Sequence, residues 1–308
     1  MKVVIVGPGA IGCLLAAYLS KSKEEIWLLD KAAEKVEIIK QKGIIIEGVS
    51  GSWKANVKIT ADVKQIKNPD LIIICVKAYH TKNAILQCKP IISDNTRVLT
   101  LQNGIGNVEI ISEVIGSEKV IAGVTSHGVT SLGPGHLRHA GKGLTTIGQL
   151  DGKIPVEMSS IRQLFKKSNM EIKISRDIKG VLWSKLIINS GINALSAITR
   201  LTNGDLIKFE NTRRIMREAV SEASRLVKRK RIKLIYDDPL VKVEAVCEAT
   251  SSNQSSMLQD VLKKKPTEID FINGVVMRQG QSLGIAAPVN TMLVDLVKII
   301  EQSYQLAK

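Results

Sequence analysis

Lys185, Asn189 and Asn193 follow one another at intervals of four residues in the apolar stretch "WSKLIINSGINALSAIT", residues 183–199. On a helix each residue turns about 100°, so steps of four keep these side chains within an arc of roughly 80°. The rest of the circumference holds Leu186, Ile187, Ile188, Ile192, Ala194 and Leu195, and a helix apolar nearly all round is a buried helix. A lysine and two asparagines on one strip of such a helix need partners, because an unpaired buried charge is very costly. The strip either closes an internal polar network or lines a cleft that holds a ligand.

A second group of residues points to a nucleotide. "GPGAIG" (7–12) has the spacing GxGxxG; it closes the strand-like run "KVVIVG" and opens a helical one. Asp30 ends the next strand about 20 residues on, as the dinucleotide pattern requires. Gly7 permits the tight turn, Gly9 lets backbone approach a pyrophosphate, and Gly12 allows helix–strand contact. Pro8 has no N–H, so the donors come from Gly9 onward and from the helix N-terminus at Ala10 and Ile11. Two further stretches, "CVKAYHT" (75–81) and "LQNGIGN" (101–107), place Lys77 and Asn103 at strand ends, where such a fold has its cleft.

The elements that position these residues are readable along the chain. Strand-like runs at 2–7, 25–30, 70–77, 96–102 and 119–126 alternate with helical runs at 10–23 and 32–43, which implies a parallel sheet covered on both faces. "GIIIEGVSGSWKANVKIT" (43–60) reads as a hairpin, and "SLGPGHLRHAGKG" (131–143) as the start of a β-ribbon. After about residue 177 the strand patterns stop and six helical patterns follow. The expected fold class is therefore α/β: a dinucleotide-binding domain over 1–176, then an all-helical substrate and catalytic domain over 177–308.

Composition narrows the function. With 308 residues, 44% hydrophobic and 24% charged, the chain is long enough for two globular domains. No uninterrupted apolar run reaches the ~18 residues of a membrane span, and the N-terminus lacks the long apolar region of a signal peptide, so no membrane is expected as a partner. Cys13, Cys75, Cys88 and Cys247 form no metal-binding spacing with the four histidines; no metal is expected, and a reducing, cytoplasmic compartment is. The net charge of +15 raises nucleic acid, with "KRKRIK" (228–233) and "KKK" (263–265) as candidates. Aromatics at 3% leave little for base stacking, so these runs read as solvated helix faces and no nucleic acid is expected. A positive field also draws small anions.

With these residues in place, the chain resembles the ketopantoate reductase (2-dehydropantoate 2-reductase) family over essentially its whole length. The resemblance is carried by "GPGAIG", "VKAYHT", "LQNGIGN", "WSKLIINSGINALSAIT", "SSMLQD" and "TEIDFINGVV", in that order. It implies an N-terminal Rossmann-type domain, a helical C-terminal domain, and reduction of ketopantoate to pantoate with a nicotinamide cofactor on the route to coenzyme A. Residue by residue, it implies Lys185 as the acid that protonates the reduced ketone's oxygen and Glu268 as the carboxylate that helps hold substrate and lysine. Asn189 and Asn193 match residues that bind substrate oxygens, and Ser256 a ligand of the substrate carboxylate. Asn103 matches a residue shared by cofactor and substrate. Lys77 and Gly128 match cofactor contacts.

The chemistry agrees with those roles. Hydride addition to a ketone leaves an alkoxide, which needs a proton donor within hydrogen-bond reach. Burial lowers a lysine's pKa and makes it a better acid, while a nearby carboxylate opposes the shift. Ser256 with Gln259 also reads as a capping box, and Glu268 as a first-turn acid. At the adenosine end, Asp30 favours NAD while Lys31, where the family often has arginine, favours a 2′-phosphate; use of both NADPH and NADH is expected. Cys88 is expected near the cleft mouth, and the histidines as structural or surface residues. Competing readings are a relative acting on another branched 2-keto or bulky 2-hydroxy acid such as mandelate, and a dinucleotide-binding regulator without turnover. A homodimer is compatible with any of the three.

Overall fold

A computed structural model describes residues 1–306. The chain divides into two compact units, Met1–Gln102 with Gly106–Ile178, and Asn103–Ile105 with Lys179 onward. The first contains β1 (Lys2–Val6), α1 (Ala10–Leu19), β2 (Glu25–Leu29), α2 (Ala33–Lys42), β3 (Ile44–Gly48), β4 (Trp53–Ala55), β5 (Lys58–Thr60) and β6 (Leu71–Ile74). It continues through α3 (Thr81–Cys88), β7 (Arg97–Thr100), α4 (Asn107–Ile115), β8 (Val120–Thr125), β9 (Gly128–Gly133), β10 (His136–Gly141), β11 (Thr145–Gly148), α5 (Glu157–Lys167) and β12 (Ile172–Ile174).

The main sheet has eight strands in the order β12-β11-β8-β7-β6-β1-β2-β5. All neighbours from β5 to β8 are parallel, and β11 joins antiparallel to β8. The central strands β1 and β6 are continuous apolar runs, buried along almost their whole length, as a sheet covered on both faces requires. The chain leaves β1 for β2 on one side and later returns to β6 on the other, so the order reverses at the carboxyl end of β1. In open α/β sheets that switch point is where ligands bind.

The hairpin expected over 43–60 is present as β3 and β4, but its last strand departs: β5 pairs with β2 in the main sheet. The expected ribbon, β9 and β10, joins the hairpin through parallel β3–β10 pairing to make a second, four-stranded sheet. The reason is apolar: Ile44, Ile46 and Leu137 are fully buried in the same core as α1.

The second unit is helical: α6 (Ile178–Thr199), α7 (Asn203–Leu206), α8 (Glu210–Arg229), α9 (Pro239–Ala249), α10 (Ser256–Leu262), α11 (Asn273–Ser282) and α12 (Pro288–Ser303). Residues 103–105 belong with it because the Ile105 N–H donates to the Phe271 carbonyl at 3.0 Å. Helix α6 is long and apolar enough, by length and composition, to cross a membrane, although no uninterrupted apolar run marks it in the sequence; most of it is buried inside the protein. It packs closely at Gly191, where a Cβ would come within 2.9 Å of Val220 on α8 and 3.2 Å of Val243 on α9. Gly191 lies about 200° round the helix from Asn189, so the polar strip is turned away from those helices. The basic runs do not line helix faces as expected: only Lys228 and Arg229 fall in the last turn of α8, where cations complement the helix dipole, and residues 230–233 and 263–265 follow the ends of α8 and α10.

The tightest constraint at the first turn is Gly12. A Cβ there would lie 2.1 Å from the Gly7 carbonyl oxygen. Gly12→Ala should therefore destabilise the protein by ~1–3 kcal/mol, the range for overpacking, and, if the turn holds a dinucleotide as its GxGxxG spacing predicts, weaken dinucleotide binding at least ~10-fold (~1.4 kcal/mol). Denaturant unfolding and calorimetric titration measure the two effects; unchanged values in both would show that the turn tolerates a side chain.

Candidate active site

In the first unit, the glycine turn is built as a cradle. Gly7 has φ of +93°, and a Cβ there would meet the Val76 side chain at 2.6 Å. Its N–H donates to the Leu29 carbonyl at 3.0 Å, which ties the end of β1 to the end of β2 and to Asp30. Gly9 is exposed, with nothing within 4 Å of the Cβ it lacks; that open space fits the close approach of a pyrophosphate. The Gly9 N–H, however, donates to the Gly7 carbonyl at 2.8 Å. The donors left at the N-terminus of α1 therefore start at Ala10, one residue later than the sequence suggests, and continue through Ile11 and Gly12. No side chain caps this helix end, so its first-turn N–H groups are available to an anion.

Pro8 is buried, and its carbonyl accepts the Cys13 thiol at 3.4 Å. Lys77, half-buried, directly follows the Val76 that Gly7 touches. Gly128 opens β9 in the smaller sheet. Asp30 is half-buried and Lys31 exposed. The cation that Asp30 meets is Lys35, at 2.8 Å, a residue that sequence reading passes over as one more lysine on a helix.

In the second unit, Lys185, Asn189 and Asn193 lie on α6 as their spacing requires. Lys185 is half-buried as a residue, but its ammonium sits in a desolvated place. Burial pushes its pKa down to about 8, opposed by the charge of Glu268. Glu268 is 5% exposed. It stands ahead of the short turn Ile269–Phe271 and its side chain caps nothing, so the reading of it as a helix-dipole acid does not hold. The Asn103 amide donates to Glu268 Oε2 at 3.5 Å. Asn103, Lys185 and Glu268 thus come together from three distant parts of the chain. The Asn193 side chain is buried, and neither its amide nor that of Asn189 makes a hydrogen bond among the described residues.

Ser256 differs from expectation. The N-cap of α10 is Ser255, whose hydroxyl accepts the Leu258 N–H at 3.1 Å and lies 2.6 Å from the Ser196 hydroxyl on α6. Ser256 is the first residue of the helix and is exposed. The adjacent serines make the cap ambiguous in sequence; the apolar phase decides it, because Met257 and Leu258 are both buried. The Ser255–Ser196 bond draws the N-terminus of α10 to a point three residues beyond Asn193.

A buried network behind α6 was invisible in the sequence. The Glu222 carboxylate, 2% exposed, accepts the N–H groups of Val289 and Asn290 at 2.9 Å each and the Asn290 amide at 2.7 Å. The Asn273 amide donates to Asn290 Oδ1 and to the Ser190 carbonyl on α6, both at 3.0 Å. In the first unit, the His127 Nδ1 accepts the Gly143 N–H at 3.2 Å, so His139 Nε2, 3.1 Å away, must donate to it. Burial first, then the neighbouring His139, lowers the His127 pKa to about 4. Cys88 is fully buried rather than exposed, and burial pushes its thiol up to about 12; it is an inert core residue.

Residues 3–152 match the family model described as ketopantoate reductase PanE/ApbA, and residues 177–301 its C-terminal counterpart. A 2-dehydropantoate 2-reductase of Pyrococcus horikoshii is 36% identical over 301 residues, covering 98% of each chain. A crystal structure of a PanE/ApbA family ketopantoate reductase from Ralstonia eutropha superposes with a TM-score of 0.91 at 32% identity, covering 99% of this chain and 100% of that one. A ternary structure of D-mandelate dehydrogenase with NADH and anilino(oxo)acetate gives 0.91 at 28% identity, with the same coverage. The chain belongs to the ketopantoate reductase family of dinucleotide-dependent oxidoreductases.

The segment that carries Asn103 rests on Gly104. Its φ is +85°, and a Cβ would lie 2.3 Å from the Phe271 carbonyl oxygen. Gly104→Ala should cost ~1–3 kcal/mol of stability from left-handed strain and the clash, read by denaturant unfolding. A neutral result would mean that 103–105 can move off the 269–271 turn without cost.

Proposed function

We propose that this chain reduces 2-dehydropantoate to (R)-pantoate in the cytoplasm, on the route to pantothenate and coenzyme A, using NADPH or NADH. What supports this most is the desolvated Lys185 ammonium beside buried Glu268, on a helix strip whose two asparagine amides make no hydrogen bond among the described residues. Buried polar groups are normally paired, so amides left open on a buried strip suit a ligand rich in oxygen. When bound, the reduced nicotinamide supplies a hydride to the keto carbon.

The protein's share of the chemistry is proton supply and positioning. The glycine turn and the N-terminus of α1 hold the pyrophosphate, with Lys77 and Gly128 along the cofactor. Asn189 and Asn193 hold the keto acid's oxygens, and Ser256 its carboxylate at the N-terminus of α10. Lys185 Nζ donates a proton to the alkoxide oxygen as charge develops there. Glu268, with Asn103 donating to it, keeps that ammonium in place. The carboxylate also keeps the lysine from losing its proton too readily, so the acid remains protonated near neutral pH.

The relatives' names give two substrate classes, 2-dehydropantoate for one and D-mandelate for the other, and a bulky 2-hydroxy acid is the competing one. Assaying the purified protein with ketopantoate and with mandelate, each with both cofactors, separates the two. Lys185→Ala should lower kcat ~10²–10⁴-fold, the usual range for a lost general acid, and leave cofactor affinity near the wild-type value. A variant with near-normal kcat would remove Lys185 from the chemistry. The pH dependence has a definite sign. The donor must be protonated, so kcat for reduction should hold steady below about pH 8 and fall as pH rises through it. A profile flat to pH 10 would exclude Lys185 as the titrating acid.

A further inference from the structure

Asp30 follows β2, where an acidic side chain ordinarily accepts the 2′-hydroxyl of an NAD ribose and repels a 2′-phosphate. Both of its oxygens are already engaged. Oδ1 accepts the Ala32 N–H at 2.9 Å, and Oδ2 meets the Lys35 ammonium at 2.8 Å. Lys35 lies in the first turn of α2. The Lys35 side chain is 30% exposed and that of Asp30 14%, so this pair is screened less than a surface pair. Lys31 stands beside it, exposed. The ammonium that engages this carboxylate is therefore that of Lys35, where the sequence pattern sets Asp30 against Lys31 alone. The cluster is compact: the charges of both Lys31 and Asp30 reach the His80 imidazole.

We propose that Lys35 sets the cofactor choice of this enzyme. By holding the Asp30 carboxylate in an ion pair, it cancels the like-charge repulsion that a 2′-phosphate would meet at the end of β2. A position that reads as NAD-type thereby admits NADPH while Asp30 keeps acceptor capacity for NADH. Lys35 is a positioning residue: it acts through Asp30 rather than as the phosphate's own ligand. The inference rests on the dinucleotide reading of the glycine turn.

The test is calorimetric titration of NADPH and NADH into the full-length protein without keto acid, for wild type, Lys35→Met, Lys35→Arg, Asp30→Asn and the Lys35→Met/Asp30→Asn double variant. Lys35→Met leaves Asp30 bare and should weaken NADPH at least ~10-fold while NADH stays within ~3-fold. Lys35→Arg keeps the ion pair and should keep the wild-type ratio. With Asp30→Asn already present, Lys35→Met should change NADPH affinity less than ~3-fold, because the charge it offsets is gone. Equal weakening of both cofactors by Lys35→Met would overturn the proposal as a structural effect. An undiminished NADPH loss in the Asp30→Asn background would overturn it in favour of direct phosphate contact. Binding of both cofactors with a ratio that Lys35→Met does not move would defeat this inference alone; binding of neither by the wild type would defeat the dinucleotide reading and this inference with it.

Discussion

The helical unit is organised around one electrostatic opposition: an ammonium that burial drives toward its neutral form, beside a buried carboxylate that holds it charged. Lys185 on α6 and Glu268 ahead of the 269–271 turn are the two ends of it. Either group alone would be costly to bury, since an uncompensated charge in an apolar surrounding has lost its water. Each is tolerable because the other is near, and the residual desolvation leaves a lysine that can release its proton near neutral pH. Such a pair fixes the geometry of what surrounds it. Helix α6 has to be buried, long and closely packed on the side away from its polar strip, and Gly191 against Val220 and Val243 provides that contact.

A second buried carboxylate, Glu222, orders the polar groups behind α6. The Glu222 carboxylate sits at the N-terminus of α12, satisfied by two backbone N–H groups and the Asn290 amide. Asn290 and Asn273 carry that order to the Ser190 carbonyl, one residue past Asn189. A hydrogen-bonded network of this kind specifies one arrangement of the four helices α6, α8, α11 and α12, because a shifted register would leave buried groups unpaired. The first unit uses a different means to a similar end. Gly7 and Gly12 allow the β1–α1 turn to pack against itself and against Val76, and Gly9 leaves open space ahead of the helix N-terminus.

Much of this was legible in the sequence because it depends on local periodicity and spacing. Buried parallel strands are continuous apolar runs, as in Leu71–Ile74, and GxGxxG between a strand and a helix has few other uses. The four-residue steps of Lys185, Asn189 and Asn193 placed them correctly on one strip. What the sequence concealed depends on long-range contact. Lys35 differs in no local respect from its neighbouring lysines; only the end of β2 against the start of α2 pairs it with Asp30. The cap at Ser255 rather than Ser256 is settled by which phase buries Met257 and Leu258. Cys88 looked accessible from its neighbours and is inside. The union of the 43–60 hairpin and the 128–141 ribbon depends on a parallel pairing across some ninety residues of chain, which no window of local pattern contains.

Proton transfer by this enzyme depends on a Lys185 ammonium poised to lose its proton near neutral pH. Its titration by nuclear magnetic resonance tests that most directly, with isotope-labelled lysine ε-positions and the Lys185 signal assigned by its loss in Lys185→Arg. The expected midpoint is about 8, well separated from the surface lysines. A midpoint at the usual lysine value, near 10.4, would contradict it and leave the proton donor to be sought elsewhere.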